Sequence, residues 1–253
     1  MAIAPHIHSL AGGAFILRKR QVIIAIVLIF IGLAFFMKSC MLSVKTGSFE
    51  QEDLVLIIDP GHGGADGGAN LDGVCESTLN LDIALKLDNI MGLFAAPVAL
   101  TRVTDMIQYP SGANSIRAKK LADQKNRSTF IKGFPNAVLI SIHQNKFPDD
   151  APHGAQVFFS KNPGSEDLAL KTQTLLKSIL EPGNKREANK IDSGIYLMKS
   201  IDCPAILVEC GFLSNPIEFV LLQTEEYQIK IATAIATAYI SSYEFLEEAH
   251  GKS

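Results

Sequence analysis

The chain has 253 residues, 47% of them hydrophobic, enough to bury one substantial core, and a formal net charge of -3 at pH 7. That balance, with the basic residues past position 80 interspersed among acids, gives no electrostatic footprint for nucleic acid and excludes it as a partner. Four cysteines, at positions 40, 75, 203 and 210, show no CxxC spacing, which argues against a cysteine-built zinc site and a disulfide framework.

In chain order, Arg18-Lys19-Arg20 precedes an uninterrupted apolar run from Val22 to Met37, closed by Lys38. The run is slightly short of the about 20 residues of a standard span and longer than most signal-peptide cores. No small-x-small cleavage site follows convincingly, and Met37-Lys38-Ser39-Cys40 is a poor lipobox, so an uncleaved signal anchor is the preferred reading and a cleaved signal peptide its rival. Positive charge ahead of the run keeps the N-terminus in the cytoplasm and sends the rest outside. The expected organisation is 1–20 cytoplasmic segment, 21–38 signal anchor or signal peptide, 39–53 polar tether and 54–248 a single domain.

Residues 54–59 read as a buried strand ending in Asp59-Pro60-Gly61-His62-Gly63-Gly64, where turn-forming residues hold a His at the strand's end. Apolar residues at Leu79, Ile83, Leu87 and Ile90 predict a helix over 77–91, followed by a short strand over 98–101. After a loop around Tyr109-Pro110-Ser111-Gly112, residues 115–132 form a strongly basic amphipathic helix, read as a solvated face. Strands are expected over 137–143 and 156–160, and a helix over 166–180 stopped by Glu181-Pro182-Gly183-Asn184. Two more strands over 195–198 and 205–209, a helical turn after Pro216 and a long final helix over 226–247 complete the chain. Strands alternating with helices predict an α/β fold: a three-layer domain whose central sheet, mostly parallel or mixed, is flanked by helices.

Three of these strands run into polar side chains: His62, His143 and Glu209. Sheets of this kind build their sites where the carboxyl ends of the strands meet loops, and a carboxylate among apolar strand residues is costly unless paired or metal-bound. Each residue alone also has an ordinary reading: a packed or surface His, a Glu209 in a structural salt bridge, a Glu76 favoured at a helix start by the macrodipole. Cys210 and Cys75 flank the two glutamates and raise the question of a thiol nucleophile. If Glu209 and Cys210 are both extended they point to opposite faces, which makes Cys210 a small buried residue. His153, in Ala151-Pro152-His153-Gly154, reads as a surface-turn residue before it reads as a ligand or proton donor.

Taken in order, Asp59-Pro60-Gly61-His62-Gly63-Gly64, Glu76 opening a helix, Leu100-Thr101-Arg102, Ser141-Ile142-His143-Gln144-Asn145 and Val208-Glu209-Cys210-Gly211-Phe212-Leu213-Ser214-Asn215 together resemble the zinc-dependent N-acetylmuramoyl-L-alanine amidases. The likeness covers roughly residue 54 to the C-terminus. Within that family, the stretches 116–127 and 154–159 resemble the germination-type amidases of spore-forming bacteria. The resemblance implies a peptidoglycan hydrolase that cleaves the amide between N-acetylmuramic acid and the L-alanine of the peptide stem, in spore-cortex maturation linked to germination. It implies one zinc ion on His62, Glu76 and His143, with Gly67, Gly68 and Gly73 letting Glu76 fold back, and Glu209 as the general base that returns the proton to the departing amine.

Implied partners are peptidoglycan, the membrane through residues 21–38, and an activating protein. The catalytic domain is expected outside the cytoplasm, anchored or secreted, in the forespore or spore envelope. Arg102, Arg117 and Lys190 stand either as contacts for a carboxylate-bearing stem or as surface charges. Two readings compete: a wall-binding protein that keeps the fold without turnover, which would have lost a ligand or Glu209, and another zinc hydrolase cutting within the stem, for which HExxH is missing.

Overall fold

The computed structural model describes residues 53–192 and 194–251, all within the unit Gln51–Ser253. The cytoplasmic segment, the anchor or signal peptide and all but the last residue of the tether lie outside the described residues. Among the described residues no helix is long and apolar enough to cross a membrane.

The elements are β1 (Val55–Pro60), β2 (Asn70–Leu71), β3 (Val74–Cys75), α1 (Glu76–Gly92), β4 (Val98–Leu100), α2 (Ile116–Lys132), β5 (Ala137–Asn145), β6 (Gln156–Phe159), α3 (Ser165–Leu180), β7 (Asn189–Lys190), α4 (Tyr196–Lys199), β8 (Ala205–Phe212), α5 (Pro216–Leu222), α6 (Glu225–Ile240) and α7 (Tyr243–Gly251). Six strands form one sheet in the order β4-β1-β5-β8-β6-β7, and β2 and β3 form a separate hairpin. β1, β4, β5 and β8 run parallel, while β6 pairs antiparallel with β8, so the sheet is mixed.

Alternation along the strands sorts the side chains into two layers. Leu56 and Ile58, Val138, Ile140 and Ile142, and Ile206, Val208 and Cys210 join one core with Ile83 and Leu87 of α1, Leu168 and Leu176 of α3, and Ile231 and Ile235 of α6. Ile57, Leu139 and Leu207 face the other way, into a smaller cluster with Ile131 of α2 and Leu197 and Met198 of α4. The same parity assigns Asp59, Ser141, His143 and Glu209 to this second, thinner side. Cys210 is fully buried in the larger core, opposite Glu209, as its neighbouring position requires.

Three expectations are corrected. The strand expected over 195–198 is the short helix α4, whose Leu197 and Met198 both reach the smaller core; a short apolar run does not distinguish strand from helix. The edge place beside β6 is taken instead by Asn189–Lys190. The single helix expected over 226–247 is broken at Ser241 and Ser242, between α6 and α7; serine favours helix ends over helix interiors. Finally, α2 is not only a solvated face: capped by Ser115, whose side chain accepts from Ala118 N, it buries Arg127, Ser128 and Ile131.

Candidate metal centre

β1 ends in a turn that no ordinary backbone makes. His62 has φ 61° and Gly63 and Gly64 have φ 135° and 58°, and a left-handed residue bearing a side chain costs about 1–3 kcal/mol unless its surroundings hold it. Two buried arginines do so. Arg127 donates through Nη2 to His62 O at 2.6 Å and through Nη1 to Pro60 O at 2.7 Å. Arg102 donates to Pro60 O and Gly61 O at 3.0 Å each and to Ser77 O at 2.7 Å.

Arg102 is therefore neither a surface charge nor free to take a stem carboxylate. Arg117 and Lys190 are exposed, and neither lines the site's cavity. His153 is exposed too, sits 3.0 Å from a Glu181 carboxylate oxygen, and belongs neither to the cavity lining nor to the metal cluster.

Arg127 also pairs with Asp59 at 2.7 Å and Asp123 at 2.9 Å. Asp59 accepts further from the hydroxyls of Thr101 at 2.6 Å and Ser141 at 2.7 Å. Burial opposes charge on Asp59, but Arg127 and the two hydroxyls outweigh it and bring the carboxyl down to about 2.

Glu76 reaches the same place from the start of α1. The β2–β3 hairpin turns the chain back, closed by the Glu76 N–H donating to Ala69 O at 2.8 Å, and its carboxylate accepts from Ala69 N at 2.9 Å and Gln144 N at 3.1 Å. Nδ1 of His143 lies 3.0 Å and Nε2 of His62 3.3 Å from Glu76 Oε1. Burial works against ionisation here as well, yet the contacts with the two histidines hold the Glu76 carboxyl far below the usual carboxylate range. Two glycines make room: a Cβ on Gly61 would strike the His143 ring, and one on Gly68, whose φ is 68°, would strike the Glu76 carboxylate.

The result is a cluster in which one ligand atom each from His62, Glu76 and His143 lies within 4.8 Å of the others. Glu209 stands opposite His143 in the β5–β8 register. Its Oε2 is buried with no hydrogen-bond partner among the described residues, and burial, with the Glu76 carboxylate adding to it and the histidines opposing it, pushes the Glu209 carboxyl up to about 7. A cavity of about 330 Å³ joins His62, His143 and Glu209 to Lys120 and Gln124 of α2 and to an apolar wall of Ile195, Leu197 and Met198.

Residues 56–241 match the N-acetylmuramoyl-L-alanine amidase family. The chain belongs to that family. It is 36% identical over 194 residues to the germination-specific N-acetylmuramoyl-L-alanine amidase of Bacillus subtilis, covering 76% of this chain and 81% of that protein. Among solved structures it is similar to the CwlD amidase of Clostridioides difficile in complex with the GerS lipoprotein, with a TM-score of 0.72 and 37% identity over 76% of this chain and 99% of that one. It is also similar to an N-acetylmuramoyl-L-alanine amidase of Clostridium difficile 630, with a TM-score of 0.65 and 27% identity over 75% and 96% of the two chains.

The cluster suits the metal such amidases use. Two imidazoles and one ionised carboxylate are the donor types of catalytic zinc, and three protein ligands leave a coordination position open. Sequence reasoning missed the supporting residues. Asp66 lies 2.9 Å from His62 Nδ1, and Asn80 donates to Gly61 O at 3.1 Å. Asp59 was open to the argument already applied to Glu209, that a carboxylate ending an apolar strand needs a partner, but only the structure shows that Arg127 supplies it.

Proposed function

We propose that this protein hydrolyses the amide between N-acetylmuramic acid and the L-alanine of the peptidoglycan stem, with one zinc ion on His62, Glu76 and His143 and with Glu209 as the proton carrier. The observation that carries this reading is the convergence of the three donors within 4.8 Å beside a buried, unpartnered Glu209 oxygen. Zinc bound there would polarise the scissile carbonyl and lower the pKa of a water towards about 7. The chain's residues do the rest. A water oxygen replaces the amine nitrogen on the lactyl carbonyl carbon, the C–N bond breaks, and Glu209, beside His143 in the sheet, takes the water's proton and delivers it to the departing L-alanine nitrogen.

The domain boundaries follow from the sequence: 1–20 cytoplasmic, 21–38 anchor or signal peptide, 39–53 tether, 54–248 catalytic. The basic cluster ahead of the apolar run supports export of the catalytic domain to the wall side of a membrane. Likeness to the germination-specific amidase of Bacillus subtilis supports a role in spore cortex, and the relative solved with a lipoprotein supports an activating protein partner. Incubation of the purified protein with defined muropeptides tests the reaction: the expected product is an intact stem with a new L-alanine N-terminus, and cleavage inside the stem overturns the assignment.

A further inference from the structure

His62 presents Nε2 to Glu76 Oε1 at 3.3 Å, while its other ring nitrogen, Nδ1, lies 2.9 Å from Asp66 Oδ2. Asp66 is fixed in turn. Its backbone exchanges hydrogen bonds with Gly63 at 2.8 and 3.1 Å, its Oδ1 accepts from Gly68 N at 3.4 Å, and the Lys120 ammonium of α2 stands 3.3 Å from Oδ2. The three side chains form a line from solvent to the metal cluster, with Lys120 45%, Asp66 18% and His62 14% exposed.

We propose that Asp66, backed by Lys120, is the positioning residue for the metal ligand His62. It accepts the Nδ1 hydrogen, and so fixes the tautomer that leaves the Nε2 lone pair facing Glu76 and His143. A ring that carried its hydrogen on Nε2 would present a donor to the metal position. A ring free to turn on its own strained backbone would lose orientation as well. Carboxylate partners of ligating histidines typically change metal affinity about 10- to 100-fold.

The inference rests on zinc binding at His62, and its test separates the two. The zinc dissociation constant of the full protein is measured by competition with a chromophoric chelator, alongside the melting temperature of the zinc-free form. Asp66→Ala is expected to weaken zinc binding about 10- to 100-fold and Asp66→Asn less, because the amide oxygen still accepts a hydrogen bond. Lys120→Met is expected to weaken binding in the parent and to add nothing in the Asp66→Ala background, because it acts through the carboxylate. The zinc-free melting temperature is expected to stay at the parent value throughout. Parent-like zinc affinity in both Asp66 variants overturns the inference, as does a loss matched by an equal fall in zinc-free stability. A parent that binds no zinc overturns the ligand assignment itself.

Discussion

The two faces of the central sheet are made by alternate residues of the same strands and differ in nearly every other respect. One face is covered by α1, α3 and α6 over a continuous apolar core that includes Leu56, Ile140, Val208 and Cys210. The other carries α2 and the four-residue α4, a small apolar cluster, and the charged groups: Asp59 against Arg127, and His143 beside Glu209. The incomplete second layer leaves the carboxyl ends of β1, β5 and β8 open to a cavity, which is where an α/β sheet builds its site. Residue parity thus puts most of the apolar core on one face and Asp59, His143 and Glu209 on the other.

That separation makes predictions of graded size. Replacing His62, Glu76 or His143 by Ala should abolish zinc retention and turnover together, measured by metal analysis after dialysis and by muropeptide release; full occupancy in all three variants would break the site assignment. Glu209→Gln should keep zinc and fold yet lose about 100- to 10,000-fold in turnover, because the amide keeps the shape and cannot carry the proton.

A large apolar residue on the covered face should behave in the opposite way. Leu87 is fully buried, and Leu87→Ala should cost about 2–5 kcal/mol in denaturant unfolding while turnover per folded molecule stays at the parent value. A matching fall in turnover would show that the two faces are coupled.

The smallest effect belongs to acid. The Asp59 carboxyl is held at about 2, below its usual 3.8, so its contribution is complete above pH 3.8 and disappears as pH falls through 2. About 2 kcal/mol of stability should therefore vanish across that window. Asp59→Asn should flatten that part of the pH–stability curve.

Much of this was legible in the sequence because buried strands announce themselves. The apolar runs before His62, His143 and Glu209 marked the three strands that meet at the cluster, although β5 and β8 run on to Asn145 and Phe212, beyond the ends expected at His143 and Glu209. What stayed hidden depends on contacts between segments far apart in the chain. The basic pattern of α2 looked like a solvated face because one inward Arg127 is indistinguishable from its neighbours until Asp59, 68 residues away, is placed against it. Arg102 was invisible as a loop clamp for a related reason: its partners are backbone carbonyls, which every residue has. Asp66 gave a faint local signal, four residues after His62 in a glycine-rich turn, but nothing in that spacing says which ring nitrogen it meets.

Alternation along β8 gives the domain a reading frame of its own, with a period of two. Deleting one residue between Ala205 and Val208 would leave the composition almost unchanged and yet shift Val208, Glu209 and Cys210 across the sheet, ahead of the register shift that follows Glu209. Cys210 would arrive in the cavity beside His143, and Glu209 would be driven into the apolar core with nothing to satisfy its carboxylate. The strand is therefore far more tolerant of substitution at its hydrophobic positions than of any change in its length.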